Sequence, residues 1–222
     1  MLEDKGGKKL GGFNFSGYGI LDGLYSYATL SPDGKKVALF LRGAIDYDKG
    51  IYTASDLLAI TDLNGEGTRI LSSTDNIKYN SGLAAWSLDG RILYSGREGR
   101  LYIADSSFEN EKRLTEREGR FPAVSPDGKK VAYISGNALY SMNLDGSSVQ
   151  KIDQGDESDI SISAPTWSPD GKYLLSIIQQ NYTANLWLNP LEGGKKGYSL
   201  TDAFGQTLDV YGIQRLSWWS GK

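Results

Sequence analysis

The sequence predicts an all-β protein assembled from repeated antiparallel sheets. Three observations predict this fold class: a turn motif that recurs along the chain, an apolar run after each copy of the turn, and a high content of glycine. The 222 residues include 28 glycines and 39% hydrophobic residues, a composition typical of a globular protein with many tight turns. This length is compatible with a single domain over residues 1–222.

The recurring turn has the sequence Ser-Pro-Asp-Gly or a close variant. Proline presets φ at its second position, aspartate suits the third, and glycine accepts the positive φ that closes the turn. Each copy is therefore predicted to form the tip of a β-hairpin. The copies begin at Ser31, Ser87, Ser125 and Ser168, and a partial copy begins at Trp219.

A second strand follows each turn, and a third and a short fourth strand follow that. The second strands are the runs Lys35–Phe40, Arg91–Ser95, Lys129–Ile134 and Lys172–Ile177, each of which begins with a basic residue. The Ser87 copy is predicted to be one residue shorter than the others. The fourth strands are predicted around Ile70, Leu114, Lys151 and Leu200.

Four-stranded units repeated every 40-odd residues predict a β-propeller, because one such sheet cannot bury both faces until neighbouring blades stack around an axis. The predicted units are approximately 24–72, 80–115, 119–152 and 161–201. A fifth, composite blade is predicted from residues 211–222 plus 6–23, which would close the ring with strands from both termini. The alternative is a segment of a six- to eight-bladed propeller. A closed ring predicts a monomer.

Large side chains precede the turn serines and are predicted to wedge between adjacent blades. They are Leu30, Trp86, Val124, Trp167 and Trp219.

Three segments carry a resemblance to a known repeat. Residues 167–172 (Trp-Ser-Pro-Asp-Gly-Lys), residues 139–146 and the run Arg113-Leu114-Thr115 resemble the TolB-type (WD40-like) β-propeller repeat, over about residues 24–222. That repeat occurs in bacterial periplasmic and cell-surface proteins and in propellers attached to prolyl-oligopeptidase-like hydrolases. The resemblance thus implies an exported bacterial protein, in the periplasm or at the cell surface, and it is more specific for fold than for function.

Several function classes are excluded by composition. The chain has no histidine and no cysteine, which excludes Ser-His-Asp triads, Cys-His pairs, thiolate-zinc sites and disulfides. The predicted first strands carry none of the paired carboxylates that glycoside hydrolysis needs. A net charge of -3 without a basic run predicts no nucleic-acid partner, and no apolar run is long enough to predict a transmembrane segment. The chain is predicted not to be an enzyme, with carboxylate-based chemistry as the remaining exception.

Binding is predicted on the blade face where the second-to-third and fourth-to-first connections emerge, which we call the long-loop face. A protein or peptide is the predicted partner, and a glycan is an alternative ligand. A second alternative is an accessory or gating propeller of a prolyl-oligopeptidase-like or glycan-processing enzyme whose catalytic part is absent. The predicted contact residues are Asp46, Tyr47, Asp48, Tyr52, Tyr79, Tyr182, Phe204 and Tyr211.

Carboxylates in the sequence give weak candidates for a calcium site at Asp153, Asp156 and Asp159. They lack the ordered spacing of an EF-hand loop, so no cofactor is predicted. The aspartates of the four turns are predicted to stabilise the turns rather than to serve a metal or acid-base chemistry.

Overall fold

The computed structural model describes residues 24–46, 51–72, 84–154, 160–180, 183–193, 196–203 and 205. These residues form four antiparallel sheets of four strands each, which confirms the predicted class of all-β propeller blades. Within each sheet, the strands follow one another in chain order, so every blade is a simple meander.

The strands of blades 1 and 2 precede residue 120. Blade 1 contains β1 (Leu24–Leu30), β2 (Lys36–Asp46), β3 (Ile51–Asp62) and β4 (Arg69–Ser72). Blade 2 contains β5 (Ala85–Trp86), β6 (Ile92–Ser95), β7 (Arg100–Ala104) and β8 (Lys112–Glu118).

Blades 3 and 4 follow. Blade 3 contains β9 (Arg120–Val124), β10 (Lys130–Ser135), β11 (Ala138–Asn143) and β12 (Gln150–Gln154). Blade 4 contains β13 (Ile160–Trp167), β14 (Tyr173–Gln180), β15 (Thr183–Pro190) and β16 (Tyr198–Ser199), followed by the helix α1 (Leu200–Ala203). In the described part of the chain, no helix is long and apolar enough to cross a membrane.

The chain divides into two compact units, Met1–Lys112 and Arg113–Lys222. In the first unit, Leu58 and Ile60 of blade 1 share a buried cluster with Trp86 and Ile92 of blade 2. In the second unit, blades 3 and 4 share an equivalent cluster that includes Ile134 and Trp167. Neighbouring blades within a unit therefore bury each other's apolar faces. The single-domain assignment and the composite fifth blade, which lies outside the described residues, stay predictions.

Two of the predicted wedge residues lie between blades as expected. Trp86 and Trp167 are buried, at 8% and 9% exposure. Leu30 is 57% exposed, but the composite blade against which it is predicted to pack lies outside the described residues, so its wedge role stays a prediction. No described strand precedes β1, so Leu30 has no described neighbour to pack into. Trp219 lies outside the described residues.

Two segments have a different secondary structure from the one predicted. The sequence predicts residues 42–55 as a long loop of the long-loop face, but β2 continues to Asp46 and β3 begins at Ile51, with these two residues paired. The β-branched and aromatic residues 51–53 favour this extended hairpin. In blade 4, Leu200 begins a helix rather than a strand, because the Ser199 hydroxyl accepts the Asp202 N–H at 3.1 Å and caps the helical turn.

Candidate functional site

Each Ser-Pro-Asp-Gly turn is held by a hydrogen-bond network that begins at its serine. In blade 3, the Ser125 hydroxyl donates to Asp127 Oδ1 at 2.6 Å and accepts the Lys130 N–H at 2.9 Å. The Lys129 N–H also donates to Asp127 Oδ1, at 3.1 Å. The same contacts recur around Ser31 and Ser168. The turn aspartates therefore have the structural role that the sequence predicts.

The turn of blade 2 is one residue shorter, as predicted. Its Ser87 N–H donates to the Arg91 carbonyl, four residues on, whereas the Ser125 N–H donates to the Lys130 carbonyl, five residues on. Its aspartate has an additional partner, because the Arg91 guanidinium lies 2.7 Å from Asp89 Oδ2.

These contacts keep the turn aspartates ionised. The serine hydroxyl and the main-chain N–H that follows hold the pKa of Asp33, Asp127 and Asp170 below the usual value. The Arg91 guanidinium, followed by Ser87, lowers the pKa of Asp89 to about 2. All four residues are thus carboxylates at neutral pH.

The first turn of a blade lies next to the turn between its third and fourth strands. In blade 3, the Leu144 N–H donates to the Lys129 carbonyl at 2.8 Å, and in blade 4 the Leu191 N–H donates to the Lys172 carbonyl at 2.9 Å. In blade 1, Lys36 Nζ lies 3.1 Å from Asp62 Oδ1. We call this edge of a blade, with its two tight turns, the turn face.

A cleft opens on the turn face of the second unit, between the Ser-Pro-Asp-Gly turns of blades 3 and 4. Its volume is about 490 Å³. We call it the inter-turn cleft. Its lining includes apolar surface from Pro126, Trp167, Pro169 and Leu191, and charged groups from Asp127, Lys130, Asp170 and Glu192.

The polar groups of the inter-turn cleft are held within its turns. Its serine, Ser125, is engaged by Asp127 and by the Lys130 N–H. A carboxylate with a lowered pKa is a weak general base, so Asp127 is poorly suited to activate that hydroxyl. The prolines, the tryptophan and the ionised carboxylates can instead contact apolar groups and accept hydrogen bonds.

Most residues predicted for the long-loop face lie outside the described part of the chain. Asp46 is the last residue of β2, and Tyr52 lies in β3. The others, Tyr47, Asp48, Tyr79, Tyr182, Phe204 and Tyr211, lie outside the described residues. Their role in binding stays a prediction.

The proposed calcium ligands are likewise incompletely described. Asp153 lies in β12 and pairs with Leu139 of β11, whereas Asp156 and Asp159 lie outside the described residues. Within the ranges that the structure describes, no group of three or more acidic, histidine or cysteine side chains could hold a metal ion. A calcium site stays untested.

The inter-turn cleft was missed from sequence, although its components were recognised. Asp127 and Asp170 were assigned only to their own turns, and Trp167 only to the core. The signal that could have revealed the cleft is the repeat itself, because equivalent turns of adjacent blades lie at the same edge.

Comparisons with known proteins support the propeller repeat. No protein-family model matches the chain. The Tol-Pal system protein TolB of Francisella tularensis subsp. tularensis (strain WY96-3418) is 28% identical, covering 66% of this chain and 45% of that protein. The chain therefore spans less than half the length of this curated relative.

Solved structures show the same fold at lower identity. TolB from Acinetobacter baumannii matches with a TM-score of 0.58 and 20% identity, covering 80% of this chain and 43% of that chain. A puromycin hydrolase matches with a TM-score of 0.52 and 18% identity, covering 83% of this chain and 28% of that chain. At these identities, the likeness is one of fold.

Proposed function

We propose that this array of TolB-type β-propeller repeats is a non-catalytic scaffold that binds a protein partner through a peptide segment. The observation that carries the proposal is the inter-turn cleft, whose volume of about 490 Å³ falls within the range of ligand pockets. Its turns are fixed by proline and by internal hydrogen bonds, so the binding surface is largely pre-formed and loses little entropy when a ligand binds.

The lining of the cleft favours a peptide. Pro126, Pro169 and Leu191 offer apolar surface, and Trp167 adds an aromatic side chain. Aromatic and aliphatic anchors of this kind dominate the energetics of protein interfaces. The carboxylates next to them accept N–H donors, which every peptide carries along its main chain and many carry on side chains.

The long-loop face is proposed as a second contact surface for the same partner. It was predicted from clustered tyrosines and aspartates, residue types that suit protein contacts. Replacing Tyr47, Tyr52, Tyr182 and Tyr211 with serine should then abolish partner capture with little change in melting temperature. Intact capture by this variant would remove the long-loop face from the proposal.

The experiment that tests the function is a selection from a random peptide library displayed on phage, with the full 222-residue chain immobilised. Enriched peptides are then synthesised, and their affinities are measured by calorimetry. We expect the enriched peptides to bind the Glu192→Gln variant more weakly than the wild-type chain, because Glu192 lines the cleft and is exposed. Failure to enrich any sequence above the bare matrix would contradict a peptide-binding function.

A second candidate function is that of an accessory propeller for a hydrolase. The fold likeness to a puromycin hydrolase favours it, since 83% of this chain matches 28% of that protein. The test is the sequence of the complete gene. A Gly-x-Ser-x-Gly elbow in an α/β segment, followed in order by an acidic residue and a histidine, would support this candidate.

An exported location is part of the proposal, because the TolB-type repeat is found in bacterial periplasmic and cell-surface proteins. Cell fractionation by osmotic shock tests it. Recovery of the native protein in the cytoplasmic fraction alone would contradict export.

A further inference from the structure

We infer that the inter-turn cleft recognises a positively charged side chain, with arginine preferred over lysine, on the peptide that it binds. This inference rests on the proposed peptide-binding function and adds the chemistry of recognition. It is argued from a contact within the chain, from the charges that line the cleft and from the shape of the cleft.

Blade 2 shows that a turn aspartate can bind a guanidinium while it stabilises its turn. The Ser87 hydroxyl donates to Asp89 Oδ1, as the serine does in the other turns. At the same time, Asp89 Oδ2 accepts Arg91 Nε at 2.9 Å and lies 2.7 Å from the second guanidinium nitrogen. One carboxylate oxygen therefore serves the turn and the other binds the cation.

Blades 3 and 4 have the same type of turn, but neither has an arginine after the turn glycine. The internal hydrogen bonds engage Oδ1 of Asp127 and Oδ1 of Asp170. Lysines follow the turn glycines in both blades, and within the described residues neither aspartate forms an ion pair. In the part of the chain that the structure describes, no cation therefore contacts the oxygen that binds a guanidinium in blade 2, although Lys129 and Lys172 favour the ionised aspartates from a longer distance.

The balance of charge in the cleft favours a cation. Three carboxylates, those of Asp127, Asp170 and Glu192, line it together with the ammonium group of Lys130, while Lys129 and Lys172 act on the two aspartates from outside the lining. A basic side chain would complete this balance, whereas an acidic one would meet repulsion at short range. Electrostatic complementarity of this kind selects partners more than it adds affinity.

The shape of the cleft favours arginine. Pro126, Pro169 and Trp167 can contact the apolar stem of a long basic side chain. A planar guanidinium has five donors in a fixed fork and can contact two carboxylates together, while an ammonium group is a compact point charge. Arginine is therefore expected to bind more tightly than lysine.

The test uses four capped pentapeptides, Ac-Ala-Pro-X-Ala-Ala-NH2, in which X is arginine, lysine, citrulline or norleucine. Each is titrated into the full ¹⁵N-labelled chain, and NMR shifts are followed for the Gly171 amide and the Trp167 indole. Citrulline keeps the shape of arginine without its charge. We expect arginine to bind at least about tenfold more tightly than citrulline, and the difference to shrink as salt rises from about 50 to about 500 mM.

Matched variants show which carboxylates bind the arginine peptide. Asp127→Asn and Asp170→Asn keep an acceptor for the turn and remove the charge, so each is expected to weaken arginine binding several-fold. Asp33→Asn is the control, because Asp33 has the same bonds to Ser31 and Lys35 but does not line the cleft. If Asp127→Asn or Asp170→Asn lowers the melting temperature, Glu192→Gln replaces it in the test, because Glu192 lines the cleft at an exposed position.

The outcomes separate this inference from the proposed function. If norleucine or citrulline binds as well as arginine, charge recognition is overturned and peptide binding stands. Charge recognition in the cleft is also overturned if Asp33→Asn weakens binding of the arginine peptide as much as Asp127→Asn does. If calcium chloride alone shifts the cleft resonances and the arginine peptide does not, the carboxylates bind a metal ion instead. If neither these peptides nor any library peptide shifts a resonance, both proposals fail.

Discussion

The indole Nε1–H of Trp167 donates a hydrogen bond of 2.9 Å to the main-chain carbonyl of Ala123. Trp86 makes the equivalent bond to Thr29, at 3.1 Å. In each unit, the tryptophan of the second blade thus bonds the first strand of the preceding blade, two residues before its turn serine. Burial brings the blades together, and this directional bond fixes their register within the unit.

Replacing Trp167 with phenylalanine should destabilise the protein by about 2–4 kcal/mol, because it leaves the Ala123 carbonyl without its donor and opens a cavity. Trp187→Phe is the matched control. Among the described residues, Trp187 Nε1 is buried without a hydrogen-bond partner, so replacing this side chain should cost less, about 1.5 kcal/mol or below. Urea denaturation measures both variants. Equal losses would show that the interblade hydrogen bond contributes nothing beyond burial.

Each turn serine is expected to stabilise its hairpin through its side chain. Ser125 is 4% exposed, and its hydroxyl satisfies both Asp127 Oδ1 and the Lys130 N–H. Ser125→Ala should therefore lower the free energy of unfolding by about 1–3 kcal/mol, the cost of unsatisfied partners. Ser161→Ala, at an exposed position in β13, is the control and should change it by less than about 0.5 kcal/mol. A thermal melt of Ser125→Ala that matches wild type would contradict this role.

The blades could be predicted from sequence because the information lies in local patterns. A Ser-Pro-Asp-Gly turn such as that at Ser125 specifies a hairpin by itself, and the apolar run that follows specifies the strand. The long β2–β3 hairpin was missed because the run 46–50 is rich in charged and turn-forming residues, and strand continuation depends on the pairing of Asp46 with Ile51. Pairing is a tertiary property that composition does not show.

The inter-turn cleft could not be predicted from local sequence patterns. Asp127 and Asp170 lie far apart in sequence, and only the packing of blade 3 against blade 4 brings their turns to one cavity. Leu30 shows the same dependence, since its position in the repeat predicts burial against a preceding blade and its side chain is exposed where no such blade is described. A repeat position specifies local structure, whereas burial depends on the neighbouring blade.

Stability should fall at acidic pH through the turn aspartates. Because the pKa of Asp89 is lowered from 3.8 to about 2 in the folded protein, the unfolded chain binds more protons between these values. The stabilisation is therefore complete above about pH 5 and lost progressively as the pH falls through about 4 to 2. Melting temperatures measured across this pH range test whether stability falls as the pH falls. Asp89→Asn should flatten part of the decline, and a profile parallel to wild type would contradict the assignment to Asp89.

Gly146, in the turn between β11 and β12, approaches the main chain of β8. A Cβ atom at this position would lie 3.0 Å from the Leu114 carbonyl oxygen and 3.4 Å from its Cα, with φ at +89°. Gly136 is the matched control, because it has φ of +56° and no atom within 4 Å of the equivalent Cβ. Both alanine variants bear the cost of a left-handed backbone, about 1–2 kcal/mol, and only Gly146→Ala adds a clash.

The clash should add a further cost of about 1–3 kcal/mol, as overpacking does in well-packed interiors. The difference between the urea midpoints of Gly146→Ala and Gly136→Ala isolates it, since the backbone term is common to both. A larger loss for Gly146→Ala would show that the β11–β12 turn is held against Leu114 in solution. Equal losses would show that this turn can move away from β8 at little cost.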